Sequence, residues 1–155
     1  MSVDVYFGAC INGGNSNLNN CRLIVDVLSK YVNVLTKHVV LDDVQSFERE
    51  YKETNPWDNI FLRDRRWLDS SKFLVGDYSI PSTGLGWETN YIQNQKKPIL
   101  ALHSKNSTIS NLIALNDYSL LDIHKYVDND INNIDSIVSS FLLKHKLIGE
   151  VNNER

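Results

Sequence analysis

Two carboxylates in this sequence have surroundings that suit chemistry, and the first is Glu88. It ends the stretch Ser-Thr-Gly-Leu-Gly-Trp-Glu at 82–88, directly before a segment with a helical pattern. The free amides and the dipole of a helix N-terminus favour negative charge, so we expect Glu88 to be ionised at neutral pH. An ionised carboxylate can attack an electrophilic carbon or stabilise positive charge. The same position equally suits a glutamate that only caps a helix.

The second carboxylate is Asp64. Four residues recur at the spacing of one helix face: Ile60, Asp64, Trp67 and Leu68. An aspartate on such an inward face is either paired with a donor or part of a site, because burying a lone charge is costly. Partial burial would raise its pKa, as a proton donor requires. The adjacent arginines favour a solvated helix face over a phosphate clamp: Arg63, Arg65 and Arg66.

The glycines before Glu88 suit a phosphate group. Gly84 and Gly86 have no Cβ, so backbone amides there can approach a ligand, and Ser82 adds a hydroxyl. The same glycines also suit a tight strand-to-helix turn without a ligand. The sequence lacks the GxxxxGK[ST] motif of P-loop proteins. Glu88 and Asp64 therefore form a candidate nucleophile and acid pair beside a candidate phosphate site.

Strand and helix patterns alternate along the chain and predict how these residues are positioned. Strands are expected near 3–7, 32–36, 73–75, 98–102 and 120–126. Helices are expected near 18–28, 55–70, 87–95, 108–115 and 131–142, the second beginning at Asn55-Pro56. The segment 39–54 is polar and shows no clear pattern. The alternation predicts one α/β domain over residues 1–155, with a parallel sheet covered on both faces.

Such sheets bind ligands at the carboxyl ends of their strands, and both glycine-rich segments, 8–14 and 82–86, follow predicted strands. His38 follows the second strand, where it either borders the pocket or has an ordinary loop role. The net charge of −3 argues against a broad nucleic-acid interface. No apolar run has the roughly 20 residues of a membrane span. The four histidines and two cysteines show no metal-ligand spacing, and Cys10 and Cys21 suit a reducing compartment.

Several segments taken in order resemble the nucleoside 2-deoxyribosyltransferase superfamily, and most closely its hydrolase branch, the 2'-deoxynucleoside 5'-phosphate N-hydrolases. The similarity covers most of the chain. The segments that carry it are Tyr6–Gly14, Leu35–Val39, Asp64–Leu68, Pro81–Glu88 and Lys97–Leu100.

The resemblance implies a flavodoxin-like three-layer fold with a five-stranded parallel sheet, a homodimer, and no metal or organic cofactor. It implies that Glu88 attacks C1' of a 2-deoxyribosyl group, that Asp64 assists departure of the base, and that Tyr6 orients the glutamate. It also assigns substrate contacts to Cys10, Ile11, Asn12, His38, Ser82, Gly84, Gly86 and Ser110, the last donated to the neighbouring subunit's site.

The hydrolase and transferase branches differ around the 5' end of the sugar. Hydrolases carry serine where transferases carry aspartate, and this chain has Ser82. A second serine of the hydrolases matches Ser110, although Asn111, adjacent to it, is the transferase residue type. In the first loop, Cys10 and Asn12 stand where the compared hydrolases have serine and arginine, which removes a charge-assisted contact.

The resulting hypothesis is an N-glycosidase that converts 2'-deoxynucleoside 5'-monophosphates to free base and 2-deoxyribose 5-phosphate. The alternatives are a deoxyribosyltransferase on unphosphorylated nucleosides and a non-catalytic nucleotide-binding module. We expect a cytoplasmic protein, with the nucleus as a second compartment, acting on a small molecule and on neither nucleic acid nor membrane.

Overall fold

The computed structural model describes residues 2–11 and 17–149 of the chain. Within these ranges the strands are β1 (Asp4–Gly8), β2 (Asn33–Val34), β3 (Phe73–Asp77), β4 (Ile99–Ser104) and β5 (Leu121–Tyr126). All neighbouring pairs are parallel, and the order across the sheet is β2-β1-β3-β4-β5. This is the flavodoxin-like strand order, so the predicted fold class is confirmed.

Helices cover both faces of this sheet. They are α1 (Leu18–Tyr31), α2 (Val44–Thr54), α3 (Ile60–Ser70), α4 (Thr83–Asn94), α5 (Asn111–Ala114) and α6 (Ile131–Lys144). The larger apolar core lies between the sheet and the pair α1 and α6, and a smaller one lies between the sheet and the pair α3 and α4. Successive strands are added on one side of β1 and then on the other, so the strand order reverses between β1 and β3. At such a point a parallel sheet opens a crevice for a ligand.

The alternation of side chains along β1 decides which residue reaches that crevice. Val5 and Phe7 point to the α1 and α6 side and are fully buried in the larger core. Tyr6 points to the opposite side and packs with Leu68 of α3 and Ile92 of α4. Because successive side chains of a strand face opposite ways, Tyr6 is placed between α3 and α4.

The segment 39–54, which shows no clear pattern in the sequence, is ordered around two short elements. A 3₁₀ turn spans Lys37–Val40, and α2 follows after Asp43, whose carboxylate accepts a 2.8 Å hydrogen bond from the amide of Ser46. The prediction that a helix begins at Asn55 is wrong, because Asn55 ends α2. Helix α3 begins at Ile60, where the Asn59 side chain accepts a 2.9 Å bond from the amide of Leu62.

Two further boundaries differ from the prediction. The second strand is limited to Asn33–Val34, because the Thr36 hydroxyl bonds both the amide and the carbonyl of Phe7, at 2.9 and 2.7 Å, and turns the chain. The fourth helix was expected to begin at Trp87 but begins at Thr83. Its start is set by Ser82, whose hydroxyl accepts a 3.2 Å bond from the amide of Leu85. The short helix α5 is also narrower than the predicted 108–115.

Candidate active site

Glu88 lies at the carboxyl end of β1, and two residues of that strand fix its position. The Tyr6 hydroxyl donates a 2.7 Å hydrogen bond to Oε1 of Glu88. Gly8 lies against the other oxygen, since a Cβ at Gly8 would be only 2.6 Å from Oε2. The carboxylate therefore lies between a phenol and a backbone position at which an added Cβ would displace it.

The electrostatic prediction for Glu88 is wrong. Glu88 lies in the second turn of α4, beyond the free amides of the helix N-terminus. Burial, together with the negative charge of Asp64, raises its pKa from an ordinary 4.5 to about 7, against the opposing effect of the Tyr6 hydrogen bond. Burial also raises the pKa of Tyr6, so its hydroxyl stays a donor. Glu88 thus titrates near neutral pH instead of being firmly ionised.

Asp64 projects from α3 into the same cavity and is half-buried. Burial raises its pKa, while the hydrogen bond and positive charge of Arg63 oppose the rise. The predicted upward direction of the Asp64 pKa is confirmed. The two carboxylates do not have opposite pKa shifts, however, because burial raises the pKa of both. Near neutral pH, where Glu88 is partly protonated, Glu88 and Asp64 together carry less than two negative charges, as expected of neighbouring acids.

Arg63 contradicts the prediction of a solvated face. Its side chain is only 2% exposed, and its guanidinium forms a fork to Glu48 of α2, with bonds of 2.7 and 2.9 Å. Its Nε donates a 2.8 Å bond to Oδ1 of Asp64. The cation also lies 4.7 Å from the ring centroids of both Tyr51 and Trp67. The partner Glu48 explains the difference, because it lies in the segment without a sequence pattern.

His38 lies beside this network, on the wall of the cavity. Its ring stacks on Phe47 at 4.5 Å, and its Nε2 lies 3.4 Å from Nη2 of Arg63. Burial and the positive charge of Arg63 lower its pKa to about 4, although the carboxylate of Glu48 opposes this. The imidazole is therefore neutral at physiological pH and offers a polar but uncharged surface.

The cavity has a volume of about 190 Å³. Its walls bring together residues from β1, the segment after it, the 3₁₀ turn and three helices: Tyr6, Gly8, Ile11, His38, Gln45, Glu48, Asp64 and Glu88. Val39, Val44 and Ile60 supply apolar surface beside these polar groups. A flat apolar group with polar edges, such as a nucleobase, suits this lining.

A second cleft, of about 430 Å³, adjoins this cavity through Ala9 and Ile11. It is also lined by Cys10, Ser82 and Gly84. Ser82 is the N-cap of α4 and accepts the hydrogen bond from the Leu85 amide. The preceding amides of Thr83 and Gly84 have no acceptor within the helix. One wall of the cleft is thus formed by the Ser82 hydroxyl and the N-terminus of α4, a helix of twelve residues. This combination suits an anion.

The glycines of this segment do not have the conformation expected of a tight turn. Gly84 and Gly86 are in the first turns of α4, and neither has a positive φ. Gly86 has nothing within 4 Å of its ideal Cβ position, so its backbone faces open space. Asn12 lies outside the described residues. Ser110 caps α5 and lines a depression of about 380 Å³ together with Ser82 and Gly86.

Sequence reasoning missed a third carboxylate, Asp77, at the end of β3. It is 2% exposed and accepts hydrogen bonds from Asn17 at 2.8 Å, from the Tyr126 hydroxyl at 2.6 Å and from the Ser79 amide at 2.9 Å. These bonds tie the start of α1 and the end of β5 to the centre of the sheet. An acidic residue at the end of a buried strand is the signal that could have indicated it.

Among residues 2–11 and 17–149, no group of three or more histidine, cysteine or acidic side chains could hold a metal ion. The helices in these ranges are also too short or too polar to cross a membrane.

The fold and the site together define a class of protein. Two carboxyl groups from different elements share a cavity at the carboxyl end of a flavodoxin-like sheet, an arrangement typical of enzymes that cleave glycosidic bonds. A solved structure, the Clostridium botulinum CMP N-glycosidase, has the same fold. Its TM-score is 0.52 at 13% identity, over 88% of this chain and 98% of that one.

Comparison with curated proteins places the chain more narrowly. It is 35% identical over 142 residues to a Thermofilum pendens protein named "Putative 2'-deoxynucleoside 5'-phosphate N-hydrolase 1", covering 88% of this chain and 95% of that protein. It is 31% identical over 136 residues to the 5-hydroxymethyl-dUMP N-hydrolase of Esox lucius, covering 85% and 92%. No protein-family model matches the sequence. The chain belongs to the 2'-deoxynucleoside 5'-phosphate N-hydrolase family.

Proposed function

We propose that this protein hydrolyses the N-glycosidic bond of 2'-deoxynucleoside 5'-monophosphates, with Glu88 as nucleophile. The observation that carries the proposal is the Tyr6–Glu88 pair facing Asp64 across one cavity, with an anion-binding cleft adjoining it. The activities for which the relatives are named support the same reaction class.

In the first step, Glu88 Oε2 attacks C1' of the sugar, and the C1'–N bond breaks with its electron pair passing to the base. Asp64, in its protonated form, gives its proton to the departing base. The Tyr6 hydrogen bond stabilises the ionised form of Glu88, which is the form that attacks. The product of this step is a glycosyl ester on Glu88 and a free base.

In the second step, water attacks C1' of the ester. Asp64, now ionised, accepts a proton from that water, and the Glu88 carboxylate leaves with the electron pair of the C1'–O bond. The products are 2-deoxyribose 5-phosphate and the regenerated carboxylate. Both steps use only side chains of this chain and water.

The 5'-phosphate is assigned to the cleft at the N-terminus of α4. Ser82 and the open amides of Thr83 and Gly84 would hold it, and Cys10 and Ile11 would close the other side. Asn12 replaces the arginine of compared hydrolases, so we expect the phosphate to be held by hydroxyl and amide groups. A base in the cavity would lie against His38 and Ile11.

We propose a homodimer in which Ser110 completes the phosphate site of the other subunit. The support is the exposure of the short helix that Ser110 caps, where Leu112 is 85% and Leu115 is 79% exposed. The test is to mix a Ser110→Asp variant with a Glu88→Gln variant. If Ser110 acts across the interface, the mixed dimer has one intact site and regains activity, whereas no recovery on mixing contradicts the exchange.

We place the enzyme in the cytoplasm, with the nucleus as the second candidate. Both cysteines, Cys10 and Cys21, are free thiols, which suits a reducing compartment. We also treat residues 1–155 as one catalytic domain.

One experiment distinguishes the hydrolase from the transferase. The protein is incubated with each deoxynucleoside and its 5'-monophosphate, with and without a second free base, and the products are separated by chromatography. Base release from monophosphates without an acceptor supports the proposal. A new nucleoside that forms only with the second base supports the transferase, for which Asn111 beside Ser110 is the favouring residue. Binding of nucleotides without any base release would identify a non-catalytic binding module.

A further inference from the structure

Arg63 has more contacts than an ion pair between two helices requires. Its guanidinium is buried and donates two hydrogen bonds to Glu48, whose negative charge balances it. It also lies against the rings of Tyr51 and Trp67. A side chain held from three sides has little freedom to move, so the nitrogens that face Asp64 have fixed positions. Nε donates a 2.8 Å hydrogen bond to Oδ1 of Asp64, and Nη2 lies 2.8 Å from the same oxygen.

We propose that Arg63 is a positioning residue that fixes Oδ1 of Asp64 and leaves Oδ2 for proton transfer to the departing base. The inference rests on the function proposed above. A carboxyl group can transfer a proton efficiently only if the oxygen that carries the proton has a defined direction. The Nε–H bond supplies that direction, because it occupies Oδ1 with a donor and so disfavours a proton there.

The charge balance around Asp64 agrees with this role. The groups that face it are Arg63 of its own helix, Glu48 of α2, Tyr6 of β1, Glu88 of α4 and His38 of the 3₁₀ turn. Glu48 neutralises most of the charge of Arg63, so the arginine orients Asp64 without forcing it to remain ionised. Burial keeps the pKa of Asp64 above its ordinary value despite the adjacent cation.

A purely structural role for Arg63 predicts something different. An ion pair that only joins α2 to α3 would change the free energy of unfolding when removed, and would lower activity equally whether or not residue 64 can donate a proton. A positioning role makes the two residues act as one unit, so that their effects on kcat are not additive.

The test is a double-mutant cycle on kcat for the deoxynucleoside monophosphate that the wild-type protein cleaves fastest. Arg63→Lys retains a charge opposite Glu48 but loses the Nε donor. Arg63→Met with Glu48→Met removes both charges together, which avoids an unpaired buried carboxylate. Each is made with Asp64 and with Asp64→Asn, and the slow variants are followed for hours at high protein concentration. Thermal unfolding is measured for every variant.

We expect either Arg63 change to lower kcat by about 10- to 100-fold with Asp64 present, a share of the usual contribution of general acid catalysis. With Asp64→Asn, the same change should alter kcat by less than about threefold, and KM should vary little. An equal loss in both backgrounds, or an unchanged kcat with Asp64 present, overturns the inference while leaving the proposed function intact. A wild-type protein that releases no base overturns both.

Discussion

Gly8 is the position where one added methyl group should disturb the site most. In Gly8→Ala, the new Cβ would lie 2.6 Å from Oε2 of Glu88 and 2.7 Å from Cδ1 of Leu85. Ordinary contacts begin at 3.4 Å, so the carboxylate must retreat by about 0.8 Å, a distance on the scale at which misplacement of a reacting group becomes costly. Leu85 is 2% exposed and packed in the core, so α4 cannot simply move away.

The retreat separates Glu88 from the Tyr6 hydroxyl, which now lies 2.7 Å from Oε1. A displacement of this size should lower kcat by about 100-fold, and the overpacking should destabilise the fold by about 1–3 kcal/mol. The KM for substrate should change far less, because the phosphate cleft is not touched. The assay is the initial rate of base release at saturating monophosphate, followed by chromatography, with thermal unfolding measured by circular dichroism.

Gly86→Ala is the matched control for stability. It lies in α4, two residues before Glu88, its ideal Cβ has nothing within 4 Å, and alanine is the better helix former by about 1 kcal/mol. Its unfolding midpoint should equal or exceed that of the wild type. If Gly8→Ala retains kcat within threefold of wild type, the claim that Gly8 and Tyr6 together position Glu88 is refuted.

Three other predictions follow from the charges at the site. Tyr6→Phe removes a hydrogen bond to an ionised carboxylate, so the pKa of Glu88 should rise by about one to two pH units. Carbon NMR titration measures this pKa, and an unchanged value contradicts the effect of Tyr6 on Glu88. Between pH 4.5 and about 7 the folded protein keeps a proton on Glu88 that the unfolded chain loses, so stability falls as pH rises. Glu88→Gln should therefore be more stable than wild type by about 3 kcal/mol at pH 8.5, and the difference should disappear well below pH 4.5. Urea unfolding measures this, and a constant difference across pH contradicts the shift. Ser82→Asp should raise KM for monophosphates about tenfold by charge repulsion and leave nucleosides unaffected, and equal changes for both would remove Ser82 from the phosphate site.

The sheet could be predicted from the sequence because buried parallel strands and amphipathic helices have local patterns. Strands β1, β3, β4 and β5 and helices α1 and α6 were all expected within a few residues of where they lie. The start of α4 differs from the prediction, because glycine-rich segments usually indicate turns and so obscure the cap at Ser82. That error misplaced Glu88 by a full helical turn relative to the N-terminal amides.

The carboxylates themselves could be found from the sequence, but not their electrostatics. Asp64 and Glu88 were indicated by spacing and by family resemblance, and the structure brings both into one cavity. The raised pKa of Glu88 depends on burial by distant segments, and the burial of Arg63 depends on Glu48, which lies 15 residues away on α2. The sequence pattern of a single helix or strand cannot indicate an ion pair between two different helices.

The central claim is that Glu88 is the nucleophile of an N-glycosidase. The direct measurement is base release from deoxynucleoside monophosphates by wild-type protein and by Glu88→Gln, whose amide oxygen can still accept the Tyr6 hydrogen bond and preserve the fold. We predict release of free base and 2-deoxyribose 5-phosphate by the wild type, and none above background by a folded Glu88→Gln that still binds the nucleotide. Base release at a wild-type rate by that variant would contradict the account.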